Sequence, residues 1–371
     1  MELLSDRLSP GDRIVMAMSG GVDSSVSAAL LADQGYELVG LFMRSGVSGA
    51  ESTGEKQGCC SVEDSMDARR VADTLDMPFY ALNMETEFQA VIDDFVASYE
   101  RGETPNPCVQ CNRLLKFGHL LEFAKKVGAR GVATGHYARV GKVGERLTLL
   151  RPLDDDKDQT YVLFVLSQEQ LANTLLPLGE LRKSEVRRLA GEKGFARVAG
   201  KRDSVEICFV PGDYRSFLKD RVEPRPGEFV SPSGEVLGTH DGIHRFTIGQ
   251  RRKLGITLGR PVYVVAIEPE TARVVLGDDE DLFARRLVAG RANWLALAPP
   301  EPGLTRRVRA QIRYNGSAEP ATLTALGDDR FQLDFDEPQR AVTPGQAAVC
   351  YDEDNRYVLC GGWIEAERVE V

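Results

Sequence analysis

The chain has 371 residues, of which 42% are apolar and 27% charged, and its formal net charge is −10. That length predicts two or three domains, and the negative charge argues against a broadly basic coat for nucleic acid. Neither an apolar run of about 18 residues nor a secretory signal at the start is found, so we expect a cytoplasmic enzyme without a membrane span.

The first predicted elements are a strand, a glycine turn and a helix. An apolar run at 13–18 is short enough for a buried strand, and a helical pattern begins at Ser24. Gly20 and Gly21 permit a tight turn, and the N–H groups of the turn and of the helix start favour a bound anion. Asp23 adds a carboxylate of the kind that holds phosphate-bound Mg²⁺.

The string Ser-Gly-Gly-Val-Asp-Ser-Ser at 19–25 resembles the PP-loop of the ATP pyrophosphatases. Those enzymes bind the pyrophosphate of ATP and adenylate a carbonyl oxygen. The string is not a Walker A loop, because no Gly-Lys-Ser/Thr follows it. Two glycines alone are equally typical of an ordinary turn, so the whole string is what favours an adenylating enzyme.

Strands and helices alternate from residue 13 to 137, which predicts a doubly wound, mostly parallel sheet. A strand at 37–43 ends on Met43, and the carboxyl edge of such a sheet is where an adenine packs. A methionine of the hydrophobic core is the competing interpretation. Further elements are a Gly- and Ser-rich loop with Cys59 and Cys60, helical patterns from 65, at 88–99 and at 114–127, and strands at 78–82 and 131–134.

From about residue 208 the pattern changes to short β-branched runs separated by Gly and Pro. We predict an α/β catalytic domain at 1–207, a small central β-rich domain at 208–290 and a C-terminal β-barrel at 291–371. Basic pairs such as Arg182-Lys183 and Lys201-Arg202 are candidate RNA contacts, although a solvated surface explains each pair equally well.

Cysteines supply the second chemical signal. Cys108 and Cys111 form a Cys-x-x-Cys pair in a stretch where two prolines predict a rigid loop instead of a helix. That spacing serves redox pairs, zinc and iron–sulfur clusters alike. Cys208 alone is typical of a buried apolar cysteine, and we assign Cys350 and Cys360 to the core.

Nine blocks, in family order, resemble the tRNA-specific 2-thiouridylases. They are Ala17–Ser25, Thr104–Pro107, Cys111–Asn112, Lys116–Phe117, Thr134–Tyr137, Lys157–Gln159, Ile207–Phe209, Arg245–Arg251 and Arg313–Tyr314. The resemblance implies ATP-dependent sulfur transfer to C2 of the wobble uridine of certain tRNAs, with release of AMP and pyrophosphate. It also implies a sulfur donor, either a protein relay or sulfide.

The resemblance assigns roles to individual residues. Its ATP site comprises Ala17, Met18, Ser19, Gly20, Gly21, Val22, Asp23, Ser24, Met43 and Gly135. Cys111 matches the nucleophile and Cys208 the persulfide bearer, so that one thiol carries sulfur while the other attacks or resolves a mixed disulfide. The residues expected at the splayed-out base and the tRNA are Asn106, Pro107, Cys108, Lys157, Asp158, Gln159, Arg313 and Tyr314.

Cys108 departs from the family pattern, because many relatives have aspartate at that position. With Cys111 and Cys208 it supplies three thiolates, enough for a 4Fe–4S cluster with one open iron that binds hydrosulfide. We therefore hypothesise a cluster at Cys108, Cys111 and Cys208, and keep the route through cysteine persulfide alone as the alternative.

Two other functions compete with tRNA thiolation. A different PP-loop enzyme, such as an amide-forming synthetase or a lysidine-type tRNA modifier, needs no paired thiols. A non-catalytic carrier of sulfur or iron would use ATP only for regulation, and AMP release during turnover with tRNA would exclude it.

Overall fold

The computed structural model describes residues 2–3, 8–45, 61–201, 207–210 and 212–366. Cys59, Cys60, most of the loop predicted around them and Arg202 lie outside these residues. Within the described ranges, no helix combines the length and the apolar content that crossing a membrane requires.

The N-terminal region contains most of the helices. Its elements are β1 (Glu2–Leu3), β2 (Arg13–Ala17), α1 (Val22–Asp33), β3 (Glu37–Arg44), α2 (Val62–Thr74), β4 (Phe79–Asn83), α3 (Glu85–Glu100), α4 (Pro107–Cys111), a π-helical segment (Asn112–His119), α5 (Leu120–Lys126), β5 (Gly131–Ala133), β6 (Arg139–Val143), β7 (Arg146–Leu150), α6 (Thr160–Leu163), α7 (Gln168–Ala172), β8 (Thr174–Leu175), α8 (Lys183–Glu192) and α9 (Ala196–Ala199).

The strands of the central sheet run parallel in the order β4-β3-β2-β5-β8. Successive residues of β2 point to opposite faces, and both faces are covered. Ile14 and Met16 pack with α1, α2 and α8, whereas Val15 packs with α5 on the other side. A parallel sheet needs such cover on both faces, so the predicted doubly wound α/β fold is confirmed.

A small β-rich unit follows the sheet. Its elements are α10 (Tyr214–Leu218), β9 (Gly227–Val230), β10 (Val236–His240), β11 (Tyr263–Glu268) and β12 (Arg273–Gly277), in the sheet order β10-β9-β12-β11. Phe229, Val264 and Val274 lie in its own core, which confirms a separate central unit.

A closed barrel forms the C-terminal part, as predicted. Its strands are β13 (Phe283–Trp294), β14 (Thr305–Gln311), β15 (Glu319–Gly327), β16 (Arg330–Arg340), β17 (Ala347–Tyr351) and β18 (Val358–Ile364), closed in the order β13-β16-β15-β14-β17-β18. The expected boundary at 290 falls inside β13, all of which belongs to the barrel. Cys350 and Cys360 lie opposite each other on the neighbouring strands β17 and β18. Both are fully buried, so their assignment to the core is confirmed.

The barrel packs directly against α6 and the residue that follows it. Tyr351 and Trp363 share one apolar core with Tyr161 and Phe164. The Tyr161 hydroxyl donates to the Ala347 carbonyl at 2.9 Å, and the Phe164 and Trp363 rings meet edge to face at 5.3 Å. The third domain therefore helps to hold the elements that follow β7.

The predicted loop at the Cys-x-x-Cys pair is wrong, because both cysteines lie on the short helix α4. Pro107 occupies the first helical position, where a missing N–H donor costs nothing. The Asn106 side-chain oxygen caps the helix by accepting from the Cys108 N–H at 3.2 Å. The prolines start this helix instead of preventing it. The strands β6, β7 and β8 were not predicted.

Gly361 tests the contact between the barrel and the sheet region. A Cβ there would lie 2.5 Å from the fully buried Phe164 ring, so Gly361→Ala should lower the free energy of unfolding by about 1–3 kcal/mol. Urea unfolding followed by tryptophan fluorescence measures it, since Trp363 packs on the same ring. Gly191→Ala, on an exposed helix face with open space, is the control and should leave stability unchanged or higher. Equal stability of the two variants would contradict this packing.

Candidate active site

The turn between β2 and α1 is enclosed by backbone from two neighbouring segments. Gly20 has φ +72°, and a Cβ there would overlap the Asp64 carbonyl of α2. On the opposite side, a Cβ on Gly135 would lie 2.7 Å from the Ser24 nitrogen. Because both positions are glycine, the turn fits closely between α2 and the end of β5.

Serine hydroxyls fix the shape of the turn. The Ser24 hydroxyl lies 3.2 Å from the Ser19 nitrogen and 3.1 Å from the Ser19 hydroxyl, while the Ser25 hydroxyl donates to the Gly21 carbonyl at 2.8 Å. The Ser25 N–H makes the first helical hydrogen bond, at 3.3 Å to the same carbonyl. The preceding N–H groups of α1 thus have no partner inside the helix and form a site suited to a phosphate.

Asp23 is held by two residues from distant parts of the chain. The Lys183 ammonium donates to both carboxylate oxygens at 2.7 Å, and the Tyr137 hydroxyl donates to Oδ1 at 2.8 Å. The Lys183 side chain is only 12% exposed, so it serves this site and not an RNA-facing surface. No local signal in the sequence identified it, since 160 positions separate it from Asp23.

Lys201 is a second lysine at the turn. The sequence made it a candidate RNA contact, as part of the pair Lys201-Arg202. Its ammonium donates to the Gly20 carbonyl at 3.0 Å and forms ion pairs with Asp64 at 2.8 Å and Asp67 at 2.6 Å. It therefore ties the turn to the first turns of α2. Lys183 and Lys201 together place two positive charges beside the expected phosphate site.

The segment before the cysteine pair is attached to the barrel. The Thr104 N–H donates to the Pro344 carbonyl at 2.8 Å, and the Gln346 side chain donates to the Thr104 carbonyl at 2.7 Å. Gly345 has φ +87°, and a Cβ there would lie 3.0 Å from the Thr104 nitrogen. The barrel therefore positions Asn106, Pro107 and α4, with Cys108 exposed and Cys111 half-buried.

One apolar cluster connects Cys111, Met43 and the segment that carries Cys208. Cys111, Met43 and Ile207 all pack against a core that includes Phe88 and Phe209. Cys208 itself is exposed beside this core. The structure thus brings Cys111 and the neighbour of Cys208 to the same end of the sheet as Met43. Among the described residues, however, no three His, Cys, Asp or Glu side chains form a group able to hold a metal ion.

Tyr314 and Gln159 link the cysteine helix to the nucleotide turn. Gln159 accepts from the Tyr137 N–H at 2.9 Å and hydrogen-bonds the Tyr314 side chain. Partial burial, with the neighbouring Cys108 and Asp158, raises the pKa of Tyr314 above its usual value. Hydrogen bonds therefore connect Asp23 through Tyr137 and Gln159 to Tyr314, and Tyr314 in turn interacts electrostatically with Cys108.

The remaining predicted tRNA residues have different surroundings. Asp158 is only 8% exposed, pairs with Arg151 and accepts from the Thr160 N–H and hydroxyl at 2.7 Å. Those contacts make it a residue that shapes the loop. Lys157 is half-buried beside Tyr314, and Arg313 donates to the Ala341 carbonyl at 3.1 Å.

Models of three protein families match successive parts of the chain. They are described as a tRNA methyl transferase HUP domain at residues 12–212, a tRNA methyl transferase PRC-barrel domain at 215–278 and an aminomethyltransferase beta-barrel domain at 284–364. Together these matches extend through the sheet region, the central unit and the barrel.

Individual relatives are similar over almost the full chain. The tRNA-specific 2-thiouridylase MnmA of Geobacter metallireducens is 50% identical over 368 residues, covering 96% of this chain and 98% of the relative. The MnmA of Solibacter usitatus is 48% identical over 377 residues, with 96% and 100% coverage. The MnmA of Carboxydothermus hydrogenoformans is 49% identical over 365 residues, with 95% and 97% coverage.

Lys183 allows a test of the nucleotide site. We expect Lys183→Met to weaken binding of Mg²⁺–ATP about 10- to 100-fold, because a charge-assisted hydrogen bond contributes about 1.5–3 kcal/mol. Titration calorimetry with ATP measures the change. Lys193→Met is the matched control, since Lys193 also joins the end of α8 to α1, through Asp33 at 2.5 Å. Unchanged or tighter ATP binding by Lys183→Met would mean that Lys183 only holds Asp23.

Proposed function

The chain belongs to the tRNA-specific 2-thiouridylase family, and we propose that it uses ATP to replace the C2 oxygen of the wobble uridine of a tRNA with sulfur. The observation that carries this proposal is the set of hydrogen bonds from Asp23 at the phosphate site, through Tyr137 and Gln159, to Tyr314, which interacts electrostatically with Cys108. Cys111 lies on the same short helix as Cys108, so these contacts support a nucleotide and a sulfur-handling cysteine that meet at one base.

Activation begins with adenylation of the uracil. The C2 oxygen attacks the α-phosphorus of ATP, a C2–O–P linkage forms, and pyrophosphate leaves while the N3 proton passes to solvent. The N–H groups at the start of α1 and the ammonium groups of Lys183 and Lys201 lie where the departing negative charge develops. When Mg²⁺ is bound, the Asp23 carboxylate is the residue suited to hold it on the phosphates.

Sulfur transfer follows through the two cysteines. A persulfide on Cys208, loaded by the sulfur donor, attacks C2 with its terminal sulfur, and AMP leaves with the original oxygen. The Cys111 thiolate then attacks Cys208 Sγ, which leaves sulfur on the base and forms a Cys111–Cys208 disulfide. A dithiol reductant restores both thiols. Packing of Cys111 and Ile207 on one cluster supports this pairing.

The tRNA reaches the site with its wobble base splayed out of the anticodon loop. Tyr314 is 41% exposed and lies beside Cys108, so its ring is a surface on which an extruded base stacks. Lys157 and Gln159 lie beside this ring. We assign these residues, with Asn106 and Arg313, to the tRNA side of the site.

A 4Fe–4S cluster at Cys108, Cys111 and Cys208 stays a prediction. Within the described ranges these three cysteines are not part of any group able to hold a metal ion, and the transfer described above needs only the thiols. The cysteine at 108 still distinguishes this chain from the Asp-x-x-Cys pattern, and the cluster stays a prediction open to direct measurement.

Replacing the two cysteines tests the proposed transfer. Cys111→Ser and Cys208→Ser should each lower 2-thiouridine formation by more than about 10³-fold, because each removes a group that forms a bond during transfer. The measurement is mass analysis of the anticodon nucleosides after incubation with ATP, Mg²⁺ and a persulfide donor. Cys350→Ala, in the barrel core, is the control for loss of a thiol. Full 2-thiouridine formation by both serine variants would contradict transfer through Cys111 and Cys208.

The cluster hypothesis predicts a separate signal. Protein reconstituted anaerobically with iron and sulfide should show visible sulfur-to-iron charge-transfer absorption, and Cys108→Asp should remove it, because the third thiolate is lost. Absorption spectra of the two proteins provide the test. A colourless native protein that thiolates tRNA at full rate in the presence of an iron chelator would rule the cluster out.

A further inference from the structure

The π-helical segment Asn112–His119 places a lysine one turn beyond Cys111. Hydrogen bonds in a π-helix join residues five positions apart, and such segments are frequent at functional sites. Lys116 is five positions after Cys111, which is the residue that directly precedes this segment. Lys116 is half-buried and is the lysine that shares this turn with the candidate nucleophile.

Lys116 is oriented by a buried histidine. Its ammonium lies 3.4 Å from His136 Nε2, and His136 Nδ1 lies 2.7 Å from the Thr134 hydroxyl. Burial, and secondarily the charge of Lys116, holds the pKa of His136 well below its usual value. The imidazole is therefore neutral. Since an ammonium only donates, Nε2 must accept from Lys116, and Nδ1–H donates to Thr134.

His136 also fixes where the lysine charge lies relative to the nucleotide turn. It follows Gly135, whose missing Cβ lets the end of β5 approach the Ser24 nitrogen and the Asp23 carbonyl carbon. A neutral imidazole holds the ammonium by a hydrogen bond without cancelling its charge. Lys116 consequently brings a positive charge from the segment after the cysteine helix to the residue that follows Gly135, whose backbone abuts the turn.

We propose that Lys116 is a catalytic residue that donates a hydrogen bond to the α-phosphoryl group while the uracil C2 oxygen attacks it. This inference rests on the proposed function. The bond changes are those of adenylation: C2–O–P forms, the bond between the α-phosphorus and pyrophosphate breaks, and Lys116 keeps its protons throughout. Lys183 and Lys201 approach the turn from α8 and from the segment after α9. Lys116 instead reaches the end of β5 from the helical segment that follows Cys111.

The experiment separates binding of ATP from its chemistry. Pyrophosphate release and 2-thiouridine formation are measured with tRNA for the native protein, Lys116→Met and Lys116→Arg. Lys116→Met should lower kcat for pyrophosphate release about 10²- to 10³-fold and change KM for ATP less than about threefold, as expected when a donor to a developing charge is lost. Lys116→Arg keeps the charge and should recover at least about tenfold of that loss.

Lys126→Met is the matched control, because Lys126 is exposed on α5, which continues the same helix. A Lys116→Met enzyme with the kcat of this control, or with a raised KM and an unchanged kcat, would overturn the inference. If thermal unfolding shows that Lys116→Met does not fold, Lys116→Gln replaces it in the same comparison. Failure of the native protein to thiolate tRNA would contradict the proposed function itself, whereas native thiolation with a normal Lys116→Met rate contradicts only the role of Lys116.

Discussion

The close approach of Gly135 to the first turn of α1 is the constraint on which the site depends. Parallel strands β2 and β5 are neighbours, so their carboxyl ends meet at one edge of the sheet. A side chain at Gly135 would push the two ends apart, since its Cβ would lie 2.7 Å from the Ser24 nitrogen. Because they touch, Tyr137 reaches Asp23 and His136 reaches Lys116. One missing Cβ thereby sets the distance between the phosphate turn and the cysteine helix.

An acidic protein that handles two polyanions must concentrate its positive charge locally. The net charge is −10, yet Lys183 and Lys201 converge on one turn and are each paired with carboxylates there. Pairing lowers the cost of keeping half-buried lysines charged. Both ammonium groups are thereby held charged at the turn, although the protein as a whole is acidic.

Local patterns predicted the strand–turn–helix and the barrel, because hydrophobic periodicity and turn residues act over a few neighbours. Local patterns did not identify residues whose deciding contact is with a residue far away in the sequence. Lys183 and Asp23 are 160 positions apart, and Lys201 and Gly20 are 181 apart, so both lysines resembled surface charge. The loop predicted at the cysteine pair was wrong for a different reason. Proline is typical of the first position of a helix as well as of a helix end, and Pro107 begins α4. Lys116 was not singled out, because its contact with His136 depends on how the π-helical segment and the end of β5 pack together.

The barrel contributes directly to the arrangement of the candidate site. It holds the segment before α4 through Thr104, and it supplies Tyr314, whose neighbours are Cys108 and Gln159. Its Tyr351 ring also lies 3.9 Å under the Arg151 guanidinium that pairs with Asp158. The barrel thus contacts both the segment before the cysteine helix and the loop that contains Asp158, so a change in the barrel would reach both.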